Sequence, residues 1–223
     1  MATLHQPFVH LLFIGIIALF PVVNPIGSAF IILPYFAYLD PAEKKKAVNK
    51  ITIYAFGICT VSLFAGHWIL ELFGISIPVI QLAGGVMICK MGWEFLSSDK
   101  QGSKEEDLQD GIKPDGYHDI ENKLFYPITF PVTTGAGTIS VLFTLSAHTA
   151  APDLNSYLIN TGAILLSILF MCALIYIFYL NTKTLVAFLG SNGELIFNRI
   201  ASFLIFCVGL QIASTGIKSI FGL

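Results

Sequence analysis

Charge is what this sequence has least of. Lys and Arg together number 12 and Asp and Glu 14, so 12% of the 223 residues are charged while 55% are hydrophobic. A soluble domain carries roughly one quarter charged residues. A chain this poor in charge cannot cover its surface for water, and most of that surface is expected to face a lipid bilayer. The net charge of -2 offers no basic field, which sets nucleic acid aside as a partner. Cysteine is sparse too. Cys59, Cys89, Cys172 and Cys207 all fall in apolar runs at spacings that match no zinc or redox pattern, and they read as small hydrophobes. The opening MATLHQPFVH has no Lys or Arg, so it lacks the basic region of a cleaved signal peptide. The first apolar run is expected to stay in the mature protein.

Acid–base chemistry is missing where an enzyme or a proton pump needs it. No Asp, Glu or Lys stands near the middle of a long apolar run, and neither H-E-x-x-H nor G-x-S-x-G occurs. The chain is therefore not expected to be an enzyme or to hold a metal or an organic cofactor. A coupling ion, H+ or Na+, stays open. Lys90 and Glu94, one turn apart, read as an interfacial pair, and Glu194 and Arg199 read the same way. Gln81 and Gln211 read as interhelical hydrogen bonds. Whether Gln81, Gln211 or Arg199 reaches a central cavity is left open, as is the oligomeric state.

What is present is a set of long apolar stretches. Six of them, near residues 8–38, 48–70, 74–97, 124–148, 154–180 and 195–220, reach the ~20 residues that a bilayer crossing needs. The sequence LVAFLGSNGEL ahead of the last one reads as a short interfacial helix or a loop. Lysines alternate between the loops. Lys44, Lys45, Lys46 and Lys50 lie in the first, Lys100, Lys104, Lys113 and Lys123 in the third, and Lys183 in the fifth. The second and fourth loops have none. Positively charged loops stay in the cytoplasm, so both termini are expected outside; Lys218 alone argues the other way.

Two of the stretches carry helix-breaking residues. FPVVNPIG (Phe20–Gly27) and FPVTTGAG (Phe130–Gly137) share Phe, Pro, Val and a final Gly, 110 residues apart. A weaker match sets QLAGGVMIC (Gln81–Cys89) over RIASFLIFC (Arg199–Cys207). Three spans, a polar stretch and three more spans give a division into residues 1–98, a cytoplasmic linker at 99–123, and residues 124–223. Three is odd, so the second set enters from the opposite side, as in the inverted repeats of secondary transporters. The fold expected is an all-α integral membrane protein of six helices in a 3+3 inverted repeat, with helices one and four broken near mid-membrane. Proline removes an N–H and glycine tolerates helix-ending conformations. Unwound backbone cannot face lipid, so the two joints are expected to face a cavity. Half-helix starts there direct free N–H groups at an anionic ligand group. The candidate binding residues are Asn24, Pro25, Gly27, Ser28, Thr133, Thr134, Gly135, Gly137 and Thr138. Replacing Asn24 with Leu is expected to weaken binding and leave folding largely intact.

The N-P-x-G of Asn24, Pro25 and Gly27, the P-x-x-x-G-x-G of Pro131, Gly135 and Gly137, the A-G-G at Ala83–Gly85 and the V-G-L-Q at Val208–Gln211 resemble the MarC/SnatA family of bacterial and archaeal membrane proteins. The resemblance covers nearly the whole chain. It implies a six-helix protein of the cell inner membrane that transports small neutral amino acids such as alanine and glycine. The family commonly has G-P-G where this chain has Gly135-Ala136-Gly137, so the second break is expected to be softer than the first. Two other readings stand beside it. One is a small-solute channel with aquaporin-like half-helices, since Asn24-Pro25-Ile26 is close to N-P-A. The other is a non-transporting membrane protein linked to stress or antibiotic response.

Overall fold

The structure is a computed structural model that describes residues 2–36, 39–97, 120–147, 149, 151 and 153–222. The described residues are helical, with no strand among them. Helix α1 (Ala2–Val23) is followed after one residue by α2 (Pro25–Phe36). Then come α3 (Pro41–Leu72) and α4 (Ile77–Ser97), a π-helical segment (Leu124–Thr133), α5 (Ala136–Ala147), α6 (Leu154–Leu180) and α7 (Thr182–Phe221). Most of the polar stretch expected as a linker, residues 99–123, lies outside the described residues.

Local chemistry explains where these helices start. Before α3, the Glu43 N–H donates to Asp40 Oδ1 at 2.7 Å, and the Asp40 N–H donates to Glu43 Oε2 at 3.1 Å. This reciprocal capping box, with Pro41 in the first helical position, satisfies two N–H groups that a helix start leaves open. Asp153 caps α6 in turn, its carboxylate accepting from the Ser156 N–H at 2.8 Å. The LVAFLGSNGEL sequence is helical and belongs to α7, interrupted at Gly190, where φ is 64°.

Each of the six apolar stretches is largely helical among its described residues. Four helical spans are long and apolar enough to cross a membrane: Phe8–Leu33, Pro41–Gly66, Leu154–Leu180 and Ser202–Phe221. The bent pair Leu124–Thr133 and Gly137–Ala147 makes a fifth if it is counted as one span. Helix α4 falls short of the six expected because Gln81, Gly84, Gly85, Lys90, Gly92 and Glu94 dilute its apolar residues. Among the described residues the chain is therefore an all-α membrane protein with four to five clear spans. Lys90 and Glu94 do pair, at 3.8 Å on an exposed face of α4.

The core forms where α1, α2, α3 and α6 meet the π-helical segment. Leu19, Ile32, Phe36, Ile51, Ile128, Ile164, Ile168 and Tyr179 are closed off from the surface. Helix α1 lies close along α6, with the Ser167 hydroxyl donating to Leu12 O at 3.0 Å. Helices α4 and α7 form a second close contact, made by glycine. A Cβ built on Gly85 would stand 2.4 Å from Ala213 N, and one on Gly92 would stand 2.6 Å from Phe206 N. From the other side, a Cβ on Gly209 would meet Cys89 N at 2.5 Å, and one on Gly216 would meet Leu82 N at 2.7 Å. Small residues let two membrane helices approach backbone to backbone. Arg199 adds a polar tie at one end, donating from an exposed position to Leu96 O.

Candidate functional site

The first break is a single residue wide. Asn24 has φ 44°, in the left-handed region that Asn tolerates better than most residues. Its N–H donates to Phe20 O at 2.9 Å, which closes α1, and its carbonyl accepts from the Ser28 N–H at 2.9 Å, which opens α2. Its side-chain Oδ1 accepts from the Gly27 N–H at 3.1 Å. Asn24 therefore caps both helices, and Pro25 occupies the first position of α2, where its missing N–H costs nothing. Because Asn24 holds a left-handed backbone and a cap together, Leu in its place is expected to disturb folding. The expectation that Asn24→Leu leaves folding intact is corrected accordingly.

The second break is the larger of the two, contrary to the expectation of a softer joint. The two flanking helices bend by 64°. Pro127 and Pro131 withhold two N–H groups, and Tyr126 and Phe130 adopt extended φ/ψ. The surviving turns are widened: the Ile128 N–H reaches Lys123 O at 3.2 Å and the Thr134 N–H reaches Thr129 O at 2.8 Å. Threonine hydroxyls add second donors to carbonyls of this segment. Thr129 Oγ1 donates to Leu124 O at 2.6 Å, Thr133 Oγ1 to Ile128 O at 2.8 Å, and Thr134 Oγ1 to Thr129 O at 3.1 Å. Gly135 turns the chain into α5, and a Cβ there would stand 2.8 Å from Pro131 O.

One side chain joins the two breaks. Tyr179 of α6 is fully buried, and its hydroxyl lies 2.8 Å from Thr133 Oγ1. The Ser28 side chain is a second polar neighbour of that hydroxyl. Ser28 Oγ in turn donates to Asn24 O at 2.9 Å. The result is a continuous chain from Asn24 O through Ser28, Tyr179 and Thr133 to Ile128 O. Three hydroxyl hydrogens serve its four contacts, so the chain has more acceptors than donors. Sequence reading missed Tyr179, which ends a long apolar helix and looks there like an interfacial aromatic.

The bridge is not at the middle of the bundle. Tyr179 precedes the last residue of α6, and Leu180 O accepts from Lys44 Nζ at 2.8 Å. Along Phe8–Leu33, Asn24 is also past the midpoint. The breaks thus lie toward the lysine-bearing end, because the residues before Asn24 form a longer half-helix than those after it.

The other candidates differ in exposure. Pro25, Gly27, Ser28, Thr133, Thr134, Gly137 and Thr138 are buried, while Asn24 and Gly135 are half-buried. Thr138 Oγ1, in the first turn of α5, is buried with no hydrogen-bond partner. Gln81 is buried on α4 and Gln211 exposed on α7. Among the described residues, no group of His, Cys, Asp and Glu is arranged to hold a metal ion.

Long apolar helices, two of them interrupted, define an integral, multi-pass membrane protein of the all-α class. The chain belongs to the MarC family of integral membrane proteins, whose family model matches residues 9–221. The resemblance drawn from the N-P-x-G and P-x-x-x-G-x-G motifs is borne out. Similar chains include the inner membrane protein MarC of Escherichia coli (strain K12), of Shigella flexneri and of Shigella dysenteriae serotype 1. Each is 25% identical over 214 residues, covering 93% of this chain and 94% of the relative. No solved structure matches.

Proposed function

We propose that the protein is a secondary transporter of small neutral amino acids, such as alanine and glycine, and that the substrate binds between the two breaks. The observation that carries this reading is the Tyr179 hydroxyl, which bonds Thr133 of the second break with Ser28 of the first as its neighbour. Two interruptions far apart in sequence thus converge on one polar spot inside an apolar bundle. The chemistry there suits a zwitterion. A chain of hydroxyls and carbonyls short of hydrogens accepts from an ammonium group. The first-turn N–H groups of α5 and the unpartnered Thr138 hydroxyl donate to a carboxylate. A helix start stabilises such an anion by about 0.3–1 kcal/mol at an exposed site and more in a partly buried one. The small side chains at Gly27, Gly135 and Gly137 favour a substrate with little or no side chain.

The same reading includes an inverted repeat. The α4–α7 contacts support it, since Gly209 and Gly216 stand 124 residues after Gly85 and Gly92. Applying that offset to the contact of Gly85 with Ala213 generates the contact of Cys89 with Gly209. Applied to Gly92 with Phe206, it generates Leu82 with Gly216. This register replaces the weaker match of Gln81–Cys89 with Arg199–Cys207. Any antiparallel pair keeps its contacts under such an exchange, so the support lies in glycine recurring at both ends of the offset, Gly85 with Gly209 and Gly92 with Gly216. The lysine asymmetry favours termini outside, and the relatives' name favours the inner membrane. Transport needs neither an enzyme's catalytic residues nor a cofactor, and H+ and Na+ remain the coupling ions to test.

Uptake of labelled alanine and glycine into proteoliposomes, with and without imposed proton and sodium gradients, tests the reading. Saturable uptake abolished in Thr138→Val supports it. Unsaturable solute flux favours a channel instead, and no flux of either kind in monodisperse protein removes the transport reading.

A further inference from the structure

Three groups stack in line from the two breaks toward the lysine-bearing end. Tyr179 sits on the breaks. The ring of Phe36, itself buried, meets the Tyr179 ring edge to face, at 6.5 Å between centroids and 72° between planes. Lys44 Nζ stands 5.8 Å from the centroid of the Phe36 ring. Two further bonds hold that ammonium, to Leu180 O and to Thr182 Oγ1, both at 2.8 Å. Each group comes from a different helix. Phe36 ends α2, Lys44 lies in the first turn of α3, and Tyr179 closes α6. Lys44 thereby satisfies a carbonyl at the C-terminus of α6, where a cation is favoured.

We propose that Tyr179, Phe36 and Lys44 form a gate that closes the path between the two breaks on the lysine-bearing side. The proposal rests on the transport reading and adds the gate to it. The gate has a polar latch at each end. The Tyr179 hydroxyl fastens it to Thr133, beside Ser28, and Lys44 fastens α3 to the end of α6. Between the latches lies an aromatic contact, with cation–π attraction above it. A substrate that supplies its own donors and acceptors to Ser28 and Thr133 competes for the partners that hold Tyr179. Substrate arrival and gate release are then one exchange of hydrogen bonds. Loss of one hydrogen bond of ordinary net strength shifts such a balance by up to about tenfold.

The variants that test it preserve the fold. Tyr179→Phe keeps the ring and removes only the hydroxyl. Ser28 and Thr133 keep their backbone acceptors, Asn24 O and Ile128 O. Phe36→Leu keeps an apolar side chain, and Lys44→Met keeps most of the length without the charge. Thr138→Cys is introduced as a reporter in full-length protein whose four native cysteines are replaced with Ala. A small membrane-impermeant thiol reagent is then applied separately from each side of oriented vesicles. Labelling from the lysine-bearing side is expected to be slow with Tyr179 present and about tenfold faster in Tyr179→Phe, with Phe36→Leu and Lys44→Met moving the same way. Labelling from the opposite side is expected to stay unchanged. Equal rates in all variants overturn the gate. Rates that rise equally from both sides also overturn it, because they report a loosened bundle. The labelling needs no substrate and uptake is measured in the parent protein with Thr138 intact, so a gated reporter beside a parent that moves no alanine rejects the transport reading alone. Alanine uptake with ungated labelling rejects the gate alone.

Discussion

Gly85 and Gly209 face each other reciprocally. A Cβ on Gly85 would stand 2.7 Å from Gly209 O, and a Cβ on Gly209 would stand 2.8 Å from Gly85 O. Neither neighbour can yield, because each obstacle is backbone in a helix. Gly85→Ala and Gly209→Ala are each expected to destabilise the protein by about 1–3 kcal/mol through overpacking. Gly162→Ala supplies the control, since nothing lies within 4 Å of a Cβ at that position in α6. It is expected to be neutral or to stabilise by up to about 1 kcal/mol through helix propensity. Thermal unfolding in detergent, followed by circular dichroism, measures all three. Equal midpoints for Gly85→Ala and Gly162→Ala would rule out the close α4–α7 contact.

Asn24 separates two effects that one substitution confounds. Asn24→Gly keeps the left-handed backbone and loses only the cap on the Gly27 N–H, so it costs a few tenths of a kcal/mol. Asn24→Leu loses the cap and is strained at φ 44°, and about 1–2 kcal/mol for the strain adds to the lost cap. Thermal midpoints in the order parent, Gly, Leu are expected. A Leu variant as stable as the Gly variant would show that φ at position 24 is not strained.

These two sites also mark what the sequence made legible. Proline and glycine announce themselves. Asn24-Pro25 and Pro131 to Gly135 could be read as breaks because their backbone restrictions are local properties of the residue types. The extent of each break was not local. Asn24 confines the first to one residue by capping both helices, whereas Pro127, outside the repeated motif, widens the second. Tyr179 carried no signal, since its importance comes from Ser28 and Thr133, which reach it only through packing. Helix α4 was legible as a helix, and its glycines turned out to serve an interface rather than the broken spans.

Asp153 gives a pH dependence with a defined sign. Its carboxylate accepts from the Ser156 N–H, and that bond holds its pKa below the ordinary carboxylate value. A group whose pKa is depressed on folding contributes stability above its unfolded pKa and loses it as pH falls through the folded value. The parent is thus expected to lose stability across the acid range below the normal Asp titration. Asp153→Asn keeps a capping oxygen without the charge, so its stability should vary less over that range. Thermal midpoints of the two proteins, measured as pH is lowered, carry the test. Parallel curves would mean that the cap contributes no pH-linked stability.

Thr133 has two partners, and two substitutions at and near it distinguish structure from function. Its hydroxyl lies 2.8 Å from Ile128 O and 2.8 Å from the Tyr179 hydroxyl. Thr133→Val preserves shape but removes a hydroxyl bonded to both Ile128 O and Tyr179, while Ile128 O keeps the Thr133 N–H of the π-helix as a donor. Each hydrogen bond lost there costs about 0.5–1.5 kcal/mol. Thr133→Ser restores the hydroxyl and is expected to recover most of that loss. Ser28→Ala removes a hydroxyl with one bond, to Asn24 O, against the two made by Thr133, so its stability cost should be the smaller. Both Thr133→Val and Ser28→Ala remove a side chain of the proposed site, and both are expected to raise the KM for alanine uptake in proteoliposomes. The diagnostic result is therefore a mismatch: similar losses in uptake beside unequal losses in thermal midpoint. If uptake instead falls in proportion to stability in the two variants, the hydroxyls serve the fold alone and the substrate binds elsewhere.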